Sequence, residues 1–233
     1  MILSLLTSDY PIAIKLILVV AVFISATAAI VFHEAAHATV ALWCGDPTAK
    51  NSGRLTLNPL AHFDWIGIIL MLFVGFGWAK PVPINSNNFK KRTLGVVMVS
   101  LAGVITNLLL AGIGLLLLYI FYPRLLSLIA SESTVRILGY LFYYMFAYSV
   151  IFNIALAFFN VLPIAPLDGF NLVNALLPRG NAYSSFMFRY GWILLLGLIV
   201  VCNVLNYVGL QQYNVFYQIQ QLAWRLVDLV VGG

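Results

Sequence analysis

Charged residues are scarce in this chain of 233 residues: only 8% are Asp, Glu, Lys or Arg, whereas 63% are hydrophobic. A soluble domain normally carries about a quarter charged residues, so this composition excludes a protein covered by water. Several apolar runs are long enough to cross a bilayer, which takes about 20 helical residues. The composition therefore predicts an integral membrane protein with the lipid bilayer around it, organised as a single membrane-embedded domain over residues 1–233.

Cysteine is almost absent, and the two cysteines, Cys44 and Cys202, stand in apolar settings that exclude a disulfide framework. The net charge of +5 does not indicate nucleic-acid binding, because much of it lies in loops beside apolar segments, as orientation signals do. No Lys or Arg precedes Lys15, and no small-residue cleavage site before a new domain follows. We therefore expect the first apolar run to be a retained helix and not a signal peptide.

Four apolar runs have the length of membrane-spanning helices, and they cover residues 11–44, 94–122, 136–162 and 183–208. Pro123 and Pro163 are expected to end the second and third of these helices, because proline cannot continue the backbone ladder. Residues 211–231 are more mixed and suit an interfacial amphipathic helix or a weak fifth span equally well. The predicted fold class is an all-α polytopic membrane protein with about four to five transmembrane helices.

A short β or re-entrant hairpin region is predicted between the first two spans. Residues 66–78 are apolar, but they number only thirteen and three glycines interrupt them. This length is short for a span and favours a re-entrant hairpin. Residues 54–57 are compatible with a short strand. Residues 81–84 are expected to form an extended edge, since alternate prolines forbid a central strand.

The basic residues predict the orientation. If residues 66–78 re-enter the membrane, most of the positive charge gathers on one side of it. The basic residues on that side are Lys50, Arg54, Lys80, Lys90, Lys91, Arg92 and Arg179. The positive-inside rule then places this side, and with it the end of the first span, toward the cytoplasm.

Histidine is also rare, and two of the three histidines, His33 and His37, lie four positions apart with Glu34 between them. Positions four apart on an α-helix lie roughly 40° apart on one face. One helix offers two imidazole nitrogens to a zinc ion at this spacing, and Glu34 is a candidate to take a proton from the attacking water. The alternative is a pair of core or headgroup-level histidines with a chance glutamate, which is disfavoured because these groups are costly in an apolar helix.

Asp168 is the strongest candidate for the third protein ligand that a catalytic zinc site usually has. No Lys or Arg stands near it in the chain, so its carboxylate needs a cation or hydrogen-bond donors. Pro163 and Pro166 break the helix before it, and Gly169 lets the chain bend beside it. The alternative role is the N-cap of a short helix at residues 170–177. The histidine pair in the same membrane body favours the ligand.

Two motifs, in this order, resemble those of the site-2 protease family of intramembrane zinc metalloproteases. The first is His33-Glu34-Ala35-Ala36-His37. The second, at residues 160–169, fits the family pattern Asn-x-x-Pro-x-x-x-Leu-Asp-Gly at every fixed position. The resemblance covers roughly residues 30–175, including the connections at 45–59 and 78–83. It is to the compact prokaryotic branch without appended regulatory domains.

The resemblance implies a zinc-dependent endopeptidase that cuts membrane proteins in or near their transmembrane helices, as in regulated intramembrane proteolysis. It also implies one Zn²⁺ per chain, a prokaryotic inner-membrane location and a substrate with a transmembrane helix. The zinc ligands would be His33, His37 and Asp168. Glu34 would be the general base, and Asn160 would help to shape the site.

Asn107 matches an asparagine that many members of this family carry after a Gly-Pro pair, but Val104 stands where the proline often is. A hydrogen bond between helices is the alternative role for Asn107. For His62, a spare metal ligand is the alternative, but no family motif includes this residue, and we expect an interfacial side chain near Asp64.

Two other functions compete with the protease. A transporter or ion-handling protein that uses the same ligands is the first alternative, and inverted repeats would favour it, but the chain has none. A catalytically inactive relative that binds membrane partners is the second alternative, and the intact Glu34 argues against it.

Overall fold

The structure is a computed structural model, and it describes residues 11–67, 79–131 and 134–232. Within these ranges the regular structure is helical, and no residue belongs to a β-strand. The α-helices, in chain order, are α1 (Ile12–Trp43), α2 (Thr48–Asn51), α3 (Pro59–His62), α4 (Arg92–Ile129), α5 (Arg136–Val161), α6 (Asp168–Leu176), α7 (Ala182–Tyr207) and α8 (Val215–Val231).

Four of these helices, α1, α4, α5 and α7, are long and apolar enough to cross a membrane. They contain 32, 38, 26 and 26 residues, and a hydrocarbon core about 30 Å thick needs about 20. The four predicted spans are thereby confirmed, and with them the all-α membrane class.

The predicted end of the second span at residue 122 is wrong, because α4 continues through Pro123 to Ile129. Proline removes one backbone donor, and its ring clashes with the preceding turn. Spanning helices tolerate both effects when neighbouring groups bond the freed backbone groups. The helix ends at Ile129, six residues after Pro123, and the N–H of the following Ala130 donates to the carbonyl of Leu126 at 2.9 Å.

The core lies between α1, α4 and α5, with α8 against it. Gly114 of α4 allows a close approach, since a Cβ there would stand 2.9 Å from the Val150 side chain of α5. Ala223 and Val227 of α8 are fully buried, and the ring of Trp224 contacts that of Tyr148 edge-on. With 17 residues and one buried face, α8 favours the amphipathic alternative over a fifth span.

The predicted strand at residues 54–57 is not present: these residues form bends and coil. Instead of backbone pairing, the buried Arg54 side chain donates to the backbone carbonyls of Lys80 and Pro81. This side-chain bridge holds two parts of the connection together without a ladder of backbone hydrogen bonds. The predicted re-entrant hairpin at 66–78 falls on residues 68–78, which lie outside the described residues.

Asp46 ties the end of α1 to the chain that precedes α4. Its buried carboxylate accepts the N–H and hydroxyl of Thr48 at 3.1 and 2.5 Å, the N–H of Asn85 at 2.7 Å and the amide of Asn88 at 2.7 Å. Burial raises the pKa of Asp46, but these hydrogen bonds outweigh burial and leave the pKa below its ordinary value. A charged, fully satisfied Asp46 therefore fixes where residues 79–85 cross the end of α1.

Candidate metal centre

The two histidines of α1 face the centre of the bundle. His33 and His37 are each only 6% exposed, and their Nε2 atoms lie 2.9 Å apart. The two histidines lie close because residues four positions apart on one α-helix share a face. At this distance the two ring nitrogens need a proton or a cation between them, because otherwise their lone pairs would face each other.

Asp168 reaches the same point from the first turn of α6. Its Oδ2 lies 3.2 Å from the Nε2 of His33 and 3.2 Å from the Nε2 of His37. The N-cap position of α6 belongs to Leu167, and no side chain caps that helix. Gly169 makes the approach possible, because a Cβ there would overlap the carbonyls of Val161 and Leu162 at the end of α5.

The second nitrogen of each ring, Nδ1, already has a hydrogen-bond partner in the protein. The Nδ1 of His37 lies 2.8 Å from the carbonyl oxygen of Val99, which can only accept, so Nδ1 carries the proton. The Nδ1 of His33 lies 2.6 Å from Oδ1 of Asn107. Such bonds to the second nitrogen are the usual way in which a protein orients a metal-binding histidine. Both rings therefore turn Nε2 toward Asp168.

These three side chains fit a metal ion. Ligand atoms that share zinc at about 2.0–2.2 Å must lie within about twice that distance of one another, and separations of 2.9 and 3.2 Å meet this condition. Oδ2 of Asp168 is also buried without a hydrogen-bond partner, which is costly unless a cation is near. Two histidines and one carboxylate are a donor set of catalytic zinc sites, which leave one position open.

Glu34 lies beside the ligands and contacts the chain that crosses α1. Its Oε2 accepts the N–H of Val82 at 3.0 Å. Two hydrogen bonds fix the chain on either side of Val82. The N–H of Lys80 donates to the carbonyl of His62 at 2.9 Å, and the N–H of Asn85 donates to the Asp46 carboxylate. One oxygen of the carboxylate thus holds the crossing segment, and the second leaves the group capable of further hydrogen bonds.

Comparison with known proteins identifies the family of the chain. The model of peptidase family M50 matches residues 20–201, a range that includes both histidines, Glu34 and Asp168. The chain belongs to peptidase family M50. A Bacillus subtilis (strain 168) protein named "Putative zinc metalloprotease YwhC" is 42% identical over 192 residues, which are 82% of this chain and 83% of the relative. No solved structure matches the chain.

Membership in family M50 confirms the predicted resemblance and makes the chain a metallopeptidase. For this M50 peptidase the apolar spans and the family together support an integral membrane protein. His33, His37 and Asp168 form a group that could hold a metal ion.

The remaining predicted residues of the M50 peptidase fall in different places. Asn107 contacts His33, so it lies at the metal centre and also bonds between helices. Asn160 donates to the carbonyl of Leu156 in its own helix at 3.0 Å, and its effect on the site stays a prediction. His62 is fully buried within the protein, where its Nε2 bonds the carbonyl of Thr56 at 2.8 Å, and its interfacial position stays a prediction. The short turn of α3 folds that ring inward.

Sequence reasoning missed Asn153. It is 1% exposed and contacts Asn107 across the interface of α4 and α5. The signal was an amide inside an apolar span, seven residues before the second motif. Polar side chains within spans usually face the bundle interior and mark function.

Gly103 is the position at which a single methyl group should disturb the metal centre of this M50 peptidase. A Cβ at residue 103 would overlap the imidazole of His33, so we expect Gly103→Ala to displace that ring. Because outer-shell changes commonly cost about 10–100-fold in metal affinity, a loss of at least this size is expected. Metal affinity of the purified protein, measured by competition with a chelator, checks it.

The matched control is Gly112→Ala in the same helix, where nothing lies within 4 Å of an added Cβ. Alanine is the better helix former by about 1 kcal/mol, so this variant should bind metal normally and melt no lower than the native protein. Equal metal affinities of the two variants would contradict the assigned contact.

Proposed function

We propose that this M50 peptidase is a zinc-dependent intramembrane endopeptidase, which hydrolyses peptide bonds in or near the transmembrane segments of membrane proteins. The observation that carries the proposal is the meeting of His33, His37 and Asp168 inside a bundle of apolar spans. A metal centre built there serves a substrate that also lies in the membrane. Regulated intramembrane proteolysis is the process in which such cleavage takes part.

The metal would be one Zn²⁺ per chain, held by Nε2 of His33, Nε2 of His37 and Oδ2 of Asp168. When bound, zinc supplies a Lewis acid that polarises the scissile carbonyl and lowers the pKa of water to about 7. The protein's part is to keep the three donors aimed at one point. The bonds from Nδ1 of each histidine to Asn107 and Val99 do this.

Glu34 is the general base in this proposal. Its carboxylate takes a proton from the attacking water and passes it to the nitrogen of the leaving amine. It stands on the same helix as the two histidines, one residue after His33. The bond from Val82 to Oε2 limits the rotation of the carboxylate, and the other oxygen is the one proposed to act on water.

Residues 79–85 are the proposed support for the substrate. The backbone groups of a helical substrate are already paired, so a helix must unwind locally before its peptide bond is accessible. An unwound strand needs partners for its backbone groups. The carbonyls of residues 79–85 are the proposed partners, since the N–H groups of Lys80, Val82 and Asn85 already donate within the protein. The segment crosses Glu34 and is anchored at both ends by Arg54, His62 and Asp46.

The proposed location is the prokaryotic inner membrane with the site toward the cytoplasm. Positive charge on the described connections next to the site supports this orientation under the positive-inside rule. The residues concerned are Lys50, Arg54, Lys80, Lys90, Lys91, Arg92 and Arg179.

Metal removal tests the proposal on a purified protein in liposomes with a single-span test protein as substrate. We expect cleavage in or within a few residues of the span, its loss after chelation, and its recovery when Zn²⁺ is returned. A test protein with the same flanking sequence but no span is the matched control and should stay intact. Cleavage of both proteins alike would contradict an intramembrane specificity, and no cleavage of either by the zinc-loaded protein would favour a transporter or an inactive relative.

A further inference from the structure

Three buried side chains from three spans form a line that ends at the metal centre. His33 of α1, Asn107 of α4 and Asn153 of α5 are 6%, 0% and 1% exposed. Nδ1 of His33 is 2.6 Å from Oδ1 of Asn107, and Nδ2 of Asn107 is 2.7 Å from Oδ1 of Asn153. Two amides buried in apolar spans are costly and usually mark function.

The direction of every bond in this line follows from two backbone carbonyls, which can only accept. Nδ2 of Asn153 donates to the carbonyl of Ser149 at 2.8 Å, so its Oδ1 faces Asn107. Nδ2 of Asn107 donates to that oxygen and to the carbonyl of Ala29 at 3.2 Å. Only the oxygen of Asn107 is then left for His33, and Nδ1 of His33 must carry the proton.

A reversed Asn107 amide would have the opposite effect on His33. Its Nδ2 would donate to Nδ1, which would then need the lone pair, and the ring proton would move to Nε2. That tautomer cannot bind a metal through Nε2. Reversal would also set Oδ1 of Asn107 against the oxygens of Asn153 and Ala29.

We propose that Asn153 is a positioning residue of the metal centre, which holds the Asn107 amide in the orientation that keeps His33 in its metal-binding tautomer. The proposal rests on the zinc site described under the proposed function. It also explains why only one histidine has such support. His37 bonds the backbone carbonyl of Val99, which cannot be reversed, whereas His33 bonds an amide that can.

The test uses Asn153→Leu, which keeps the approximate volume and removes both polar atoms. We expect zinc affinity, measured by chelator competition, to fall about 10-fold, at the lower end of outer-shell effects. We also expect the ¹⁵N NMR signals of metal-free protein to change from Nδ1–H for His33 to a mixture of tautomers. With three histidines in the chain, these signals can be assigned by substitution.

Asn203→Leu is the matched control. Asn203 makes the same bond to its own helix, from Nδ2 to the carbonyl of Ile199 at 2.9 Å, but it is exposed on α7. This variant should leave zinc affinity and the His33 tautomer unchanged. If Asn153→Leu loses cooperative unfolding, Asn153→Ala removes the same two atoms without steric demand and takes its place.

The outcomes separate this proposal from the proposed function. Native protein that binds no zinc would overturn the proposed function itself. Native protein that binds zinc, together with an Asn153 variant of equal affinity and unchanged His33 tautomer, would overturn the role of Asn153 alone. A lower affinity with an unchanged tautomer would also overturn it, since the loss would then be general loosening of the bundle.

Discussion

Glu34→Gln is expected to leave the fold and the bound zinc in place and to reduce cleavage of a single-span substrate by roughly 10²–10⁴-fold, the usual cost of losing a general base. Glutamine is nearly isosteric with glutamate, and its amide oxygen can still accept the N–H of Val82, which now bonds Oε2 at 3.0 Å. The crossing segment should therefore keep its position. What the variant lacks is basicity, because a neutral amide does not take a proton from water.

The measurement is cleavage in liposomes with zinc content determined on the same samples. Glu132→Gln is the matched control, since Glu132 is the only other glutamate in the chain, and it should cleave at the native rate. Full cleavage by zinc-loaded Glu34→Gln would remove Glu34 from the role of base. Loss of zinc in that variant would instead make Glu34 part of the metal site and require a different assignment.

Local periodicity explains why one part of the site was predictable from the sequence. His33, Glu34 and His37 lie within one helical turn, and the geometry of an α-helix places the two histidines on one face whatever surrounds them. The four spans were predictable for a similar reason, because length and hydropathy alone decide whether a helix can cross a bilayer. Asp168 required the second motif, since nothing local brings residue 168 to residue 33.

The parts that were missed depend on contacts between distant segments. Asn153 meets Asn107 only because α4 and α5 pack closely, and the two residues are 46 positions apart in the chain. His62, the last residue of α3, is buried and bonds the backbone carbonyl of Thr56. Arg54 replaces a predicted strand with a side-chain bridge to Lys80. None of these contacts leaves a periodic trace in the sequence.

Pro123 illustrates a boundary that local chemistry predicts wrongly. In a soluble helix an internal proline costs about 3 kcal/mol, which justifies ending the second span before it. In α4 the helix nevertheless continues to Ile129. The helical hydrogen bonds resume after the proline, as the bond from the N–H of Ala130 to the carbonyl of Leu126 shows, so the missing donor does not end the helix.

Asp168→Ala is expected to abolish the stabilisation that zinc gives the protein, along with cleavage. A ligand that binds only the folded state adds RT ln(1 + [L]/Kd), about 4.1 kcal/mol at 1,000 times Kd, so native protein should melt at a clearly higher temperature with zinc than without. Loss of a ligand should cost more than the about 10–100-fold in affinity that loss of an outer-shell partner costs. Thermal melting with and without zinc measures this difference.

The zinc-dependent shift, and not the absolute melting temperature, separates a ligand from a residue that stabilises a helix start. A carboxylate in the first turn of α6 also interacts with the helix dipole, which contributes about 0.3–1 kcal/mol. The metal-free melting temperature of Asp168→Ala therefore reflects both the lost dipole interaction and the removal of a buried, unpaired oxygen, under either role. Asp228→Ala, on the exposed face of α8, is the control and should retain the full zinc shift. If Asp168→Ala retained it as well, the carboxylate would serve the helix and the metal would have to be held by other groups.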